Sequence, residues 1–263
     1  MVRNTRTLPA ARTLDDSVAQ IAEAVGGADG LGVIVPGIYT PSTGQAWCPN
    51  LWGPAEVPLR DALRARVRVP LAIDSDRAGY VLGESWLGAA RGLRDVAYVA
   101  LGTGIGVGIL ADGAVLRGSC GVAGAAGWFA LDPAWKPEYA ACGCWESESA
   151  GPGMARRFGA GDPAALFEAA RRGDARARAV VDDAARYAGM GIANLISLLN
   201  PEVVVLGGGV VQGAGDLLVE PIRREVVRWA QPIAARRCRV EVSQLGATAG
   251  VLGAARLALT LQI

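Results

Sequence analysis

Asn200-Pro201-Glu202-Val203-Val204-Val205-Leu206-Gly207-Gly208-Gly209 runs from a turn through an unbroken apolar stretch into three glycines. Such a short, apolar run predicts a strand over 202–206. Glycines after that strand and before a helix mark where open α/β sheets bind nucleotides. A second glycine cluster, Gly102-Thr103-Gly104-Ile105-Gly106, lies between two further strand-like runs. Its glycines let backbone N–H groups approach a phosphate, and Thr103 adds a hydroxyl donor. A tight hairpin explains those glycines equally well, so the pairing of the two clusters carries the nucleotide reading.

The rest of the chain alternates in the same manner. Thr13 with Asp15 and Asp16 reads as a helix N-cap and acidic first turn, followed by apolar Val18, Ile21 and Val25. A strand is expected over 31–35, a long irregular stretch over 38–56, a helix over 58–67, a strand over 70–73 and a helix over 76–91. Residues 96–101, 105–110 and 114–116 predict an antiparallel meander. A Gly- and Cys-containing insertion follows, then helices over 153–158, 163–172 and 174–199, a helix over 217–230, a strand over 239–242 and a closing helix. The expected organisation is α/β with two lobes, residues 1–94 and residues 95–263, the second carrying the nucleotide-binding elements.

The chain has 263 residues, a formal net charge of +1 and no histidine. The missing histidine excludes Ser-His and Cys-His catalysis and His-ligated metal sites. Proton transfer then falls to carboxylates. Asp74-Ser75-Asp76 stands at a strand-to-helix junction, the usual place for a catalytic carboxylate in such a sheet. One of the three is also expected to cap the helix. Five cysteines, an odd number at irregular spacing, make no disulfide framework. Basic residues are scattered, so no nucleic-acid face is expected, and no apolar run suggests a membrane span. The polar first six residues offer no secretory core, which makes the cytoplasm the default expectation.

The ordered set Pro49-Asn50-Leu51, Asp76, Gly83-Glu84, Gly102 to Gly106, Ala123-Gly124, Gly127, Cys144-Trp145-Glu146 and 200–209 resembles the ROK family (repressor, open reading frame, kinase) over nearly the whole chain. The resemblance implies an actin-like, RNase H-like fold, with ATP, Mg²⁺ and a hydroxylated substrate in a cleft between two lobes. It implies Asp76 as the base, and Asn50, Ser75, Asp76, Trp128 and Glu146 around the substrate. Gly102, Thr103 and Gly104 would hold phosphates, and Gly207, Gly208 and Gly209 would line the adenosine pocket. It also implies a homodimer. Sugar-responsive repressors of the family add a helix-turn-helix, and no part of this sequence reads as one.

Four departures qualify the resemblance. The family opens with a strand hairpin bearing a D-x-G-G-T phosphate loop, roughly 20–25 residues, and this sequence begins beyond it, at what reads as the next strand. The family segment A-G-E-I-G-H is Ala123-Gly124-Ala125-Ala126-Gly127-Trp128 here. A substrate hydroxyl left unpaired there costs about 1–3 kcal/mol, which points to a less polar or differently substituted substrate. The zinc loop shrinks to Cys142-Gly143-Cys144, too few ligands for tetrahedral zinc, so none is expected. The asparagine before the base is Ser75. The leading expectation is an ATP-dependent kinase of a sugar, aminosugar or cyclitol. The alternative is a catalytically inactive ROK-like binding protein, and a third is another reaction on a phosphorylated substrate.

Overall fold

The computed structural model describes residues 5–9 and 11–262. Its first helix, α1 (Leu14–Val25), starts where Thr13 Oγ1 accepts the Asp16 amide, as the sequence predicts. There follow β1 (Leu31–Val35), β2 (Ile38–Thr40), β3 (Gln45–Trp47), α2 (Pro49–Trp52), α3 (Leu59–Arg66), β4 (Leu71–Ser75) and α4 (Asp76–Leu87). The stretch 38–56, expected to be irregular, instead folds as the antiparallel β2–β3 pair and the short α2. Three-residue strands are too short to show a period. The strand expected at the chain start is not found, since residues 5–9 and 11–13 lie outside helices and strands and the first four residues are outside the described set.

Next come β5 (Val96–Leu101), β6 (Ile105–Ala111) and β7 (Ala114–Val115), a 3-10 turn (Ala126–Trp128), then α5 (Tyr139–Cys142), α6 (Cys144–Ser149), α7 (Gly151–Phe158), α8 (Pro163–Arg171) and α9 (Ala175–Leu199). The chain continues through β8 (Val203–Gly207), α10 (Gly209–Trp229), α11 (Pro232–Arg237), β9 (Arg239–Val242) and α12 (Ala249–Leu259). The sequence placed α10 over 217–230. It begins eight residues earlier, and non-helical Ala214 (φ −142°) interrupts the apolar period.

A five-stranded sheet runs β7-β6-β5-β8-β9, antiparallel through the meander and parallel from β5 to β8 to β9. Successive strand side chains face opposite ways, and this sorts the core. Ala97, Val99, Leu101, Val204 and Leu206 enter the large core with Trp145, α9 and α10, while Val96, Tyr98, Val203 and Val205 pack beneath α4 with Val81. The apolar β8 is thus buried on both faces. A smaller sheet pairs β1 with β4 in parallel, over a core of Val18, Val33, Val35, Leu59 and Leu63.

The closing helix α12 returns to β1 and α4. Glycines set its approach: a Cβ at Gly253 would lie 1.8 Å from the Gly79 carbonyl oxygen, and one at Gly83 would lie 2.2 Å from that of Ala249. Helix α4 therefore sits between the two sheets, and its first turn is the junction from which the site is built.

Candidate functional site

Helix α4 begins at the base candidate. Ser75 Oγ accepts the Ala78 amide at 3.3 Å, so Ser75 is the N-cap, and its side chain serves the helix at a residue 8% exposed. The Asp76 carboxylate is released from capping and accepts the adjacent Arg77 amide at 2.8 Å. Burial raises its proton affinity above the usual carboxylate range, opposed by that N–H and by the Arg77 charge. Burial, reinforced by the Asp76 charge, pushes the Cys48 thiol up to about 11. Cys48 is also the N-cap of α2, so α2, with exposed Asn50, stands beside Asp76.

The first turn of α4 rests on β6 because glycines admit it. A Cβ at Gly108 would lie 2.0 Å from the Arg77 carbonyl oxygen, and one at Gly106 would touch the Arg77 stem at 3.1 Å. The turn at the start of β6 closes with the Gly102 amide donating to the Gly104 carbonyl at 3.0 Å, and the Gly151 amide donates to the Gly102 carbonyl at 2.9 Å. Glu146 meets this turn from α6, its Oε2 accepting the Ile105 amide at 2.7 Å. A Cβ at Gly104 would lie 2.7 Å from the same oxygen, and one at Gly127 would lie 3.0 Å from the Glu146 side chain. Burial raises the proton affinity of Glu146, the Ile105 amide opposing. Trp128 follows Gly127 and is 57% exposed.

A cleft of about 560 Å³ opens behind the turn, lined by Gly102 and Thr103, by Gly151 and Pro152, by the α8 face carrying Phe167 and Arg171, and by Gly209 and Gly213 of α10. Its size suits a nucleoside. The three glycines after β8 divide their roles. Gly207 is packed under the Tyr98 ring, and Gly208 (φ +91°) lies against the Leu101 backbone. Only Gly209 of the three lines the cleft, and a Cβ there would meet nothing within 4 Å. Arg171 braces the wall, donating to the Gly213 carbonyl at 2.6 Å and to Asp216 at 2.7 Å.

The shortened cysteine segment is held by charge. Glu148, buried on α6, accepts from Lys136 Nζ and Tyr139 Oη at 2.7 Å each and pairs with Arg157 at 3.0 Å. Burial raises its proton affinity, and these partners outweigh burial, leaving it below the usual carboxylate range. Cys142 Sγ lies 3.2 Å from Ser147 Oγ. Among the described residues no group of three or more His, Cys, Asp or Glu side chains is arranged to hold a metal ion, and no helix is long and apolar enough to cross a membrane.

The structure thus gathers Asp76, Glu146 and the 102–104 turn around α4 and β6, with Asn50 and Trp128 on the neighbouring segments. It leaves Ser75 as a cap and Gly207 and Gly208 as packing glycines. Sequence reasoning missed Phe167, Arg171, Cys48 and Arg77. Asp162-Pro163 signals the start of α8, and nothing in the sequence tells which face of α8 lines a cleft.

The ROK family model matches residues 3–261. A glucokinase of Halalkalibacterium halodurans is 35% identical over 85% of this chain and 74% of its own length. A ROK hexokinase of Thermus thermophilus superposes with a TM-score of 0.81 at 31% identity, over 97% of this chain and 90% of that one. A ROK glucokinase of Streptomyces griseus, solved with glucose and AMPPNP, superposes with a TM-score of 0.79 at 29% identity, over 96% and 90%. The actin-like fold is common to these sugar kinases and to this chain.

Proposed function

The chain belongs to the ROK family, and from that premise we propose that it is an ATP-dependent phosphotransferase acting on a hydroxyl of a sugar, aminosugar or cyclitol-like substrate. The observation that carries this reading is that α4 starts at Asp76 and that its next residue, Arg77, packs on β6, the strand that leaves the Gly102–Gly104 turn. A base held beside a phosphate cradle is the part of phosphoryl transfer that a protein must supply, since the chemistry is mostly positioning and charge stabilisation. Named relatives support it: two are a glucokinase and a hexokinase, and a third was solved with glucose and AMPPNP.

In this reading the nucleoside occupies the 560 Å³ cleft, with its phosphates directed to the Gly102–Gly104 turn, where the Thr103 hydroxyl and the Thr103 and Gly104 amides donate while the Gly102 amide closes the turn. Asp76 accepts the proton of the acceptor hydroxyl as its oxygen bonds to the γ-phosphorus and the bridge to the β-phosphate breaks. Glu146, Asn50 and Trp128 line the acceptor side. Mg²⁺ bound with the nucleotide would supply charge neutralisation on the phosphates, and no side chain of this chain is assigned as its ligand. No structural zinc belongs to this reading, because the Glu148 cluster already ties the cysteine segment to α7. Elemental analysis showing about one zinc per chain would contradict that part.

The reading keeps two lobes, expected as residues 1–94 and 95–263, with the one change that the closing helix α12 is assigned to the first because it packs on β1 and α4, in a homodimeric, cytoplasmic protein. It is tested by titrating ATP·Mg²⁺ calorimetrically and assaying a panel of hexoses, aminosugars and cyclitols for ADP release. Nucleotide binding with turnover on one acceptor is expected. Absence of binding at about millimolar nucleotide, a Kd reached by only ~4 kcal/mol, would remove the kinase reading and favour a ligand-binding protein.

A further inference from the structure

We propose that Asp74, Arg77 and Arg117 form a reciprocal clasp that fixes Asp76 against the loop 117–124, which makes Arg77 a positioning residue for the phosphoryl transfer proposed above, on which this role rests. Two ties cross the same gap in opposite directions. Arg117, on the loop after β7, donates through Nε to Asp74 Oδ2 at 2.8 Å and approaches it through Nη2 at 2.6 Å. Arg77, on the first turn of α4, donates back to the loop: Nη1 to the Ala123 carbonyl at 3.0 Å and the Val122 carbonyl at 3.3 Å, Nη2 to the Gly121 carbonyl at 3.0 Å. The anchors stand immediately after Asp76 and two residues before it.

The loop is shaped for this contact. Gly118, Gly121 and Gly124 adopt φ of +72°, +74° and +84°, a region that costs glycine nothing, so consecutive carbonyls converge on one guanidinium. A Cβ at Gly121 would lie 2.7 Å from the Tyr39 carbonyl oxygen and one at Gly124 would lie 1.8 Å from that of Val107, so the loop is pressed between β2 and β6. It then enters the Ala126–Trp128 turn that abuts Glu146. One arginine therefore joins the base, the strand leaving the phosphate turn and the acceptor wall. A planar fork with several donors suits three carbonyls as an ammonium does not.

Arg77 also supplies charge. The ionisable groups sensing Asp76 are Arg77 and Tyr80 on α4 and Cys48 at α2, and Asp74 faces Arg77 from β4. The Cys48 thiol and Tyr80 phenol are held neutral near pH 7 by burial and by the Asp76 charge, so the guanidinium is the charge beside the base. Losing it disfavours the ionised carboxylate and moves the acid limb of activity to higher pH.

The test uses the full chain as Arg77→Met and Arg77→Lys. Both should lose about 10- to 100-fold in kcat, the scale of a misplaced catalytic group, with KM for ATP changed less than about threefold because no nucleotide contact is touched. The acid limb of kcat/KM should rise in Arg77→Met by about half a unit and stay in place in Arg77→Lys. Amide exchange across 117–124 in the nucleotide-free protein should quicken at least ~10-fold in both, as local tethering is lost. An unmoved acid limb in Arg77→Met, or wild-type exchange in that loop in either variant, overturns the proposal. If the wild type turns over no acceptor, the kinase reading fails and the exchange result still decides the clasp; if Arg77→Met does not fold, Arg77→Lys decides it by the same exchange criterion.

Discussion

The Glu146 carboxylate accepts the Ile105 amide at 2.7 Å, which ties α6 to the strand leaving the Gly102–Gly104 turn. Burial holds its proton affinity above that of the unfolded chain. A raised carboxylate favours the folded state below the unfolded pKa and loses that contribution as pH rises through the folded value. Glu146→Gln keeps an acceptor for Ile105 and removes the charge. Its Tm should therefore gain on the wild type as pH is raised from 5 to 8, while kcat/KM for the acceptor falls about 10- to 100-fold, the scale of one charged hydrogen bond. Parallel melts and initial rates check both, and a Tm difference that shrinks with pH would refute the sign.

Glu148 behaves oppositely. Its pKa is lowered by Lys136, Tyr139 and Arg157 against the effect of burial, so its contribution is present above the unfolded value and is lost as pH falls through the folded one. Glu148→Gln should cost about 2–4 kcal/mol in denaturant unfolding at pH 7, since it leaves buried cationic partners uncompensated, and the difference should narrow toward pH 4.

Gly209 separates fold from function. Its missing Cβ faces open space at the lip of the cleft proposed to hold the nucleoside, so Gly209→Leu should leave Tm within a few degrees while weakening ATP at least ~10-fold by occupying the cleft. Calorimetry and a thermal melt on the same sample check the pair.

Gly253 is the reverse case. Its Cβ would lie 1.8 Å from the Gly79 carbonyl oxygen, backbone against backbone, so even Gly253→Ala forces α4 and α12 apart. A loss of at least ~3 kcal/mol is expected, with activity falling in step with the folded fraction.

How much of this the sequence revealed varies with how local each feature is. The strand expected over 202–206, observed as Val203–Gly207, was legible because three valines and a leucine run without a polar residue between them, and the start of α4 at Asp76 was legible because a strand ends and a helix begins there. The early start of α10 was hidden by Gly213-Ala214-Gly215, which breaks the apolar period. Helices α5, α6 and α11 span four to six residues each, too short for periodicity to declare them. The division of labour among Gly207, Gly208 and Gly209 depends on Tyr98 and Leu101, about a hundred residues away, and no local pattern records that. The Glu148 cluster and the Arg77 ties are likewise partnerships across the sequence, invisible to a one-dimensional reading.

The central claim is that Asp76 takes the proton of the acceptor hydroxyl. Asp76→Asn preserves shape and the α4 start while removing the base, so single-turnover phosphoryl transfer should fall by about 10²–10⁴, the range of general-base catalysis, with ATP affinity by calorimetry unchanged within about twofold. Transfer at the wild-type rate with intact nucleotide binding would contradict the account.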